Sequence, residues 1–507
     1  MSKRIVNIIN FVRASVPGHC DEDLIEPIIG EIMLNKKYSF PNTFLLQYDA
    51  LISDAYVDVF KKEADENTEI GIWFECVRPL AESVGLEWKG PNDRNWDIHI
   101  VPGFLLGYTI EERKLLIDAF MRKFYEVFGY FPKSVGSWMI DSYSAEYMSK
   151  EYGVKAFAIC REQYGVDAYT LWGGYSNQGY YPSKNNILCP AQTDEMRITT
   201  PVFRMLGPDP IYNYDDEKYN LKGVPTLEAA WVYGQNEKCV DAIFNAHFVE
   251  ECMDFSYVTL GQENNFGWKR INEGLTLQLE KIDKLRKENI VSVEKLCDTG
   301  EWFSKTYSEN PVVSLVSNAD WLGNDIKSIW YNSPAYRANI VLENNCLYFR
   351  DINVFDENYQ ERYLDKPCNT EFGIQDNLPV VDGRLWCGSH INSGLKFDAE
   401  VSEVSVCREN DNLICNAKCT DGKIVIRLCK DKIIIEKPEN VSIYFEREND
   451  GGELMRTEIG VENSRVCFNH NGYKYNMRLN CPIYKTEFGY RFASKVRSVI
   501  IKFDNNM

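Results

Sequence analysis

Histidine is scarce in this chain. Five occur in 507 residues (His19, His99, His247, His390 and His470), and no two are spaced His-x-x-x-His. Gly-x-Ser-x-Gly, the Walker A loop, the dinucleotide-binding fingerprint and His-Glu-x-x-His are all missing, which removes the commonest hydrolase elbow, P-loop, Rossmann and zinc-protease readings. No apolar stretch approaches the ~20 residues that span a bilayer. Residues 1–13 begin basic and apolar, but Asn7 and Asn10 interrupt the run, Arg13 closes it, and no small-residue cleavage site follows. That segment reads as a first buried strand rather than an export signal. Basic charge is in deficit: 56 Lys and Arg against 75 Asp and Glu give a net charge of -19. A nucleic-acid footprint is excluded and an anionic membrane surface disfavoured.

The sixteen cysteines are irregularly spaced and include no Cys-x-x-Cys. In a large chain without an export signal they are expected to be reduced thiols of a cytoplasmic protein. Two Cys-x-x-His pairs, Cys387/His390 and Cys467/His470, and the nearby Cys415 and Cys419 raise a zinc site as an alternative. Residues three apart on a strand face opposite ways, so no metal or other cofactor is expected. His19-Cys20 is a poor thiol–base pair, because adjacent side chains diverge.

What the chain does have is length and aromatic content. At 507 residues it exceeds one ordinary core, and 13% of it is Phe, Trp or Tyr. Two domains are expected, residues 1–305 and 306–507. In the first, strand-like runs at 5–12, 43–48, 69–74, 134–139, 156–159, 226–231, 256–260 and 290–296 alternate with helical patterns at 24–34, 109–127, 144–152 and 273–288. That is the rhythm of β/α units around parallel strands. Thr109 is placed to cap its helix, with Glu111 and Glu112 in the first turn. Long segments at 84–107, 164–196 and 207–224 are rich in Trp, Tyr, Asn, Pro and Gly and read as loops that serve a site. Beyond 306 the helical period fades. β-rich runs at 338–348, 423–429, 432–436, 441–445, 473–479 and 496–503 take over, with turn signals at 410–412, 420–422 and 449–452. They predict an antiparallel sandwich.

Polar residues recur where the barrel strands end: Arg13, Asp49, Glu75, Asp141, Glu228 and Glu263. In a parallel barrel those ends share one mouth. Two carboxylates stand out. Asp141 closes Trp138-Met139-Ile140-Asp141, and Glu263 lies in Gly261-Gln262-Glu263-Asn264-Asn265-Phe266-Gly267-Trp268. Paired carboxylates do acid, base and nucleophile work on glycosides, while aromatic faces stack on sugar rings. The expected catalytic pair is therefore Asp141 and Glu263. Arg13, Asp49, Trp73, Glu75, Trp138, Glu228, Asn264 and Trp268 are the expected substrate-binding groups. Plainer readings stand beside these. Asp141 is a good N-cap for a helix beginning near Ser142, and Arg13 is placed to pair with Glu75 or Asp49.

The order of these segments resembles the seven-stranded (β/α) barrel shared by polysaccharide deacetylases, α-mannosidases and the retaining, family 57-like α-glucan hydrolases and 4-α-glucanotransferases. Trp138-Met139-Ile140-Asp141 is similar to that group's nucleophile segment Trp-Leu-x-Glu, with Asp in place of Glu. Residues 261–268 resemble its acid/base segment. The group's N-terminal His-x-His-Gln-Pro is replaced by Asn10-Phe11-Val12-Arg13, and its His-rich segment after strand three by Ile72-Trp73-Phe74-Glu75-Cys76. The resemblance implies a distorted (β/α)7 barrel followed by a β-sandwich. It also implies a metal-free glycoside hydrolase acting on an oligosaccharide or small glycoside. A carboxylate separation of about 5–5.5 Å would mean retention, and about 6.5–9.5 Å inversion. The alternatives are a metal-dependent carbohydrate deacetylase and a non-catalytic carbohydrate-binding protein. The expected partner is a carbohydrate. The sandwich has three open roles: binding sugar, shaping the barrel mouth, or forming a homo-oligomer.

Overall fold

Lys3–Val12 opens the fold as β1, an apolar run buried over its last eight residues. Such burial on both faces is the mark of a central parallel strand. The computed structural model describes residues 2–15, 23–160, 173–214, 219, 221, 225–231, 237–250, 253–371, 373–374, 376–382, 394–446, 457–487, 489–493 and 495–504. Around β1 stand β2 (Asn42–Leu46), β3 (Thr68–Trp73), β4 (Ser134–Ser137), β5 (Ala156–Ile159), β6 (Gly179–Tyr180), β7 (Val202–Arg204), β8 (Phe255–Leu260) and β9 (Ser292–Glu294). Their order is β6-β7-β5-β4-β3-β2-β1-β8, with β9 also on β1; every pairing is parallel except β6 with β7.

The sheet is a nearly closed barrel. In the gap between β7 and β8 the expected strand at 226–231 is only a splice. Leu227 N–H donates to the carbonyls of Leu206 and Gly207, and Glu228 forms a single parallel bridge to Gly261. Ala229 and Ala230 already turn, which stops the ladder. Helices clothe the barrel. Ile110–Phe128 begins in a full capping box between Thr109 and Glu112, as the Thr-x-x-Glu spacing predicts. Trp268–Lys287 starts earlier than expected and packs beside Glu26–Tyr38.

After the helix Leu296–Thr306 the architecture becomes antiparallel, beginning with Val313–Ser317. The expected run at 338–348 is a hairpin, Tyr336–Glu343 with Cys346–Val354, turned by Asn344 and Asn345 at φ 50° and 59°. Asn is the residue that tolerates this region best after glycine. Gly394–Glu409 passes from one sheet to the next, pairing first with Cys346–Val354 and Ile443–Glu446, then with Asn412–Cys419. The two layers enclose a separate apolar core that includes Ile340, Phe349, Leu395, Ile426 and Phe445. Sandwich and barrel are stitched at the barrel mouth. Ile100 N–H donates to Glu371 O (3.0 Å), Cys368 N–H to Leu106 O (2.8 Å) and Ser142 N–H to Glu361 Oε1 (2.6 Å).

No disulfide joins any two of the thirteen cysteines among the described residues. His470 bonds Thr457, and no cluster of three or more His, Cys, Asp or Glu gathers as a metal site among the described residues. The turn at 449–452, His19, Cys20, Arg161, Cys387 and His390 lie outside the described residues. No described helix is long and apolar enough to cross a membrane.

Candidate active site at the barrel mouth

The parallel strands deliver their C-terminal residues to one end. There an aromatic floor forms first. Trp73, the last residue of β3, stacks on Phe11 of β1 with centroids 4.2 Å apart and planes 14° apart. Trp138, just past β4, meets both rings edge-on at 5.5 and 5.6 Å. Offset-stacked and edge-to-face contacts are the favoured aromatic geometries. Trp73 and Trp138 were expected as stacking walls for a sugar. They are 0% and 3% exposed, so they plug the barrel instead.

Above the floor sits Arg13, one residue beyond β1. Its guanidinium lies 5.5 Å over Phe11 and 4.6 Å from the ring of Trp96. It grips Glu75 in a two-point bond, Nε to Oε2 at 3.0 Å and Nη2 to Oε1 at 2.6 Å. The third nitrogen, Nη1, pairs with Glu263 Oε2. Such fork-on-carboxylate pairs are strong and directional. Gln47 adds its amide N–H to Glu75 Oε2 at 2.5 Å. One cation therefore holds carboxylates from β3 and β8 together. Glu75 is fully buried, whereas Glu263 keeps 7% exposure.

Asn264 fastens this hub to the backbone. Its Oδ1 accepts from Arg13 N–H (2.9 Å) and its Nδ2 donates to Arg13 O (2.9 Å) and Leu24 O (2.8 Å). The side chain was expected to read sugar hydroxyls; its hydrogen-bonding capacity goes to the main chain. Gly261 at φ 111° lets the segment pass β1, since a Cβ there would strike the Ile9 carbonyl. Glu228 accepts from Thr226 Oγ1 (3.0 Å) and Gln262 Nε2 (3.3 Å).

Asp49 lies beside Arg13. Its Oδ1 accepts from Ala14 N–H (3.3 Å) and Ala50 N–H (2.7 Å). Burial, reinforced by the charge of Glu75, outweighs those bonds and pushes its carboxyl up to about 6. A carboxyl there exchanges its proton near neutrality, as an acid catalyst must.

Two expected site residues stand elsewhere. Asp141 is 0% exposed. Its Oδ1 accepts from Ser144 N–H at 2.9 Å and its Oδ2 from Ser144 Oγ at 2.7 Å, so it caps the helix Ser142–Tyr152. Arg113 Nη1 lies 3.1 Å from Oδ1, close enough for an ion pair though not aligned as a hydrogen bond. The carboxylate is thus committed to structure on every side the structure describes. Trp268 opens the helix Trp268–Lys287 and packs against Gly30 on the outside of the barrel, far from a stacking role. Gln47 and Trp96 went unassigned in the sequence. Trp96 lies in the aromatic segment 84–107, which marked a site loop without saying which ring would reach it.

Several polar atoms of this region are buried without a described protein partner, among them Trp73 Nε1, Trp96 Nε1, Gln47 Oε1 and Asp49 Oδ2. Buried polar groups are almost always satisfied, so such atoms call for a solvent or ligand partner.

No protein-family model matches the sequence, and no curated protein does. Solved structures do resemble it. A protein of Parabacteroides distasonis assigned provisionally as a glycoside hydrolase/deacetylase superposes with a TM-score of 0.51 at 14% identity, over 75% of this chain and 89% of that one. A Mycobacterium smegmatis protein assigned provisionally as a polysaccharide deacetylase gives 0.37 at 10% identity, over 61% and 93%. A branching enzyme of Thermococcus kodakaraensis gives 0.30 at 11%, over 61% and 72%. The first likeness, at 14% identity, is one of fold alone.

Proposed function

We propose that this protein is a carbohydrate-active enzyme that cleaves a glycosidic bond with two carboxylates at the barrel mouth, Glu263 and Asp49. The observation that carries the reading is the contrast at the strand ends between Glu263, paired with the Arg13 guanidinium, and the buried Asp49, whose described donors are neutral. Asp49, buried and raised to about 6, is the proton donor to the leaving oxygen. Glu263, held by Arg13 and partly exposed, acts on the anomeric carbon or on the water that attacks it. Environments that push two acids apart are how one site runs both halves of acid–base chemistry. Arg13 and Glu75 position Glu263. The unpartnered N–H of Trp96 and the amide oxygen of Gln47 suit a hydroxyl-rich ligand.

The test is turnover of a panel of aryl glycosides. Glu263→Gln loses at least about a thousandfold in kcat with an unchanged melting temperature. Asp49→Asn loses as much on poor leaving groups but far less on activated phenols, which leave without protonation. Because the protonated form of Asp49 does the work, kcat/KM on poor leaving groups is level below about pH 6 and falls roughly tenfold per unit above it. Wild-type turnover in Glu263→Gln, or a rate that rises through pH 6 to 8, removes the assignment.

A further inference from the structure

A groove of about 440 Å³ opens at the end of the barrel opposite the mouth, where the parallel strands begin. Its walls include Lys155, Thr199, Thr200, Glu301, Ser304 and Lys305. Small-molecule sites run from about 300 to 1,000 Å³. The register of the barrel builds this one. β4 and β5 pair Ser134 with Ala156, so the residues just before them, Lys133 and Lys155, stand side by side, and Lys155 N–H donates to Lys133 O at 2.7 Å. β5 and β7 pair Phe157 with Val202, which brings Thr200 level with Lys155. The helix Leu296–Thr306 closes the third side. Gly300 lets it approach, since a Cβ there would strike the Lys155 carbonyl, and that approach sets Glu301 and Lys305 over the strand starts.

The charges of this groove do not cancel. Neighbouring strands lie about 4.8 Å apart, so like charges at one register repel. Among the described residues neither Lys133 nor Lys155 forms an ion pair, and both are exposed. Lys305 Nζ bonds Glu301 Oε2 at 3.2 Å. That bond holds the Glu301 carboxyl below its ordinary 4.5 against the effect of burial, and the charges of Lys305, Lys133 and Lys155 add to the pull. The field of one carboxylate therefore reaches all three ammonium groups. Three cations against one anion leave an excess of two positive charges, in a chain whose net charge is -19. Thr200 Oγ1 gives its hydrogen to Val154 O (2.9 Å), and the Ser304 hydroxyl reaches Tyr181. Thr199, exposed at the rim, brings a further hydroxyl.

A phosphoryl group carries about −1.5 to −2 charges near neutral pH and offers three acceptor oxygens. Lysine binds it as a point charge, without the fixed fork of arginine. We propose that this groove binds the phosphoryl group of a small solute, with Lys155 and Lys133 supplying the uncompensated charge and the Thr199 hydroxyl a further donor. A phosphorylated metabolite and free phosphate carry the same group. Lys305, tied to Glu301, forms the far wall. The site lies at the strands' N-terminal ends, so its ligand is distinct from whatever the mouth holds, and the inference stands apart from the hydrolytic reading.

The full-length protein is titrated by calorimetry with glucose 6-phosphate, inorganic phosphate and glucose. At least one of the two phosphorylated solutes binds saturably. Lys155→Gln weakens that binding about tenfold, the loss of one charge-assisted contact, Lys133→Gln weakens it by a similar factor, and the double variant abolishes it. None of these changes alters the response to glucose. Lys150→Gln removes the same charge from the neighbouring helix, where Lys150 pairs with Glu146 outside the groove, and leaves phosphate binding within twofold. Glu301→Gln frees Lys305 and tightens binding several-fold. These side chains are exposed or half-buried, so the variants should melt with the wild type. Glucose 6-phosphate binding at least tenfold tighter than inorganic phosphate identifies a phosphorylated metabolite as the occupant, and equal affinities identify free phosphate. The inference is wrong if neither solute binds, if Lys155→Gln and Lys133→Gln bind as tightly as the parent, if Lys150→Gln weakens binding as much as they do, or if Glu301→Gln weakens it. Activity or inactivity of Glu263→Gln bears on none of these results.

Discussion

Asp141→Asn separates a structural carboxylate from a catalytic one. Asn is nearly as good an N-cap as Asp, so the bond from Ser144 N–H survives and the helix Ser142–Tyr152 keeps its start. What the substitution removes is the negative charge 3.1 Å from Arg113. Both side chains are within 1% of full burial, so solvent does not screen the loss. Removing one member of such a pair leaves a buried charge uncompensated and costs about 3–5 kcal/mol. Arg113 is further held by the carbonyls of Tyr108 and Tyr363, which favours the lower half of that range. At 2–4 °C per kcal/mol for a domain of this class, the barrel should melt roughly 10 °C earlier. Arg113→Met in the same chain removes the orphaned cation and should restore most of the loss, since replacing both partners by apolar groups is often near neutral. The assay is thermal unfolding by near-ultraviolet circular dichroism, run beside turnover at a temperature where every variant is folded. The expected result is a lower melting temperature with substantial activity. An Asp141→Asn protein that melts like the wild type yet has lost turnover by orders of magnitude would refute the structural reading and return Asp141 to the catalytic pair.

Two further perturbations probe the same architecture. Glu31 is wholly buried in the helix Glu26–Tyr38, neither carboxyl oxygen has a partner, and burial raises it well above its ordinary 4.5. The folded protein therefore retains a proton that the unfolded chain releases. Stability is fully present below about pH 4.5 and is lost as pH climbs toward the folded value, at about 1.4 kcal/mol per unit. In urea titrations from pH 5 upward, Glu31→Gln should gain on the wild type by that increment per unit, and a pH-independent difference would show that Glu31 is not the retained proton. Arg13→Met leaves Glu75 and Glu263 facing each other without a cation. It should destabilise the barrel by about 3–5 kcal/mol, with partial recovery in Arg13→Met/Glu75→Gln, and a single variant of wild-type urea midpoint would show that the guanidinium is not the hub.

The barrel was legible because parallel strands carry their signal in composition. Runs such as Ile5-Val6-Asn7-Ile8-Ile9 are apolar on both faces, and the structure places β5 at the expected residues, Ala156–Ile159. Local chemistry was legible too: the Thr109 capping box and the turn at Asn410, φ 54°, follow from side chains a few residues apart. The three-residue β7, Val202–Arg204, was missed because its signal is shorter than any period can register. The closing segment near 226 was read as a strand because its apolar residues suit one. Only the spacing of its neighbours, filled by Leu227 N–H to Leu206 O, shows that a splice suffices.

The site was legible as a set of strand ends but not as a division of labour, and the reason is electrostatic rather than topological. Whether a carboxylate is spent or available depends on which cation or N–H reaches it, and those groups come from far away in the chain. Asp141 is surrounded by Ser144, Arg113 and, through Ser142 N–H, the sandwich residue Glu361. Nothing in Trp138-Met139-Ile140-Asp141 announces that Arg113 will arrive from the neighbouring helix. Glu75 and Glu263 are 188 positions apart, yet a single guanidinium sets both. Asp49 differs from Asp141 in one respect that decides its chemistry: its described donors are backbone N–H groups and a nearby serine, with no cation among them. Burial without a counter-charge raises a carboxyl, whereas burial with one opposes that rise. On the function proposed above, the acid of this mouth is the carboxyl whose described partners are neutral. That criterion needs coordinates, because the sequence specifies the carboxylates but not their cations.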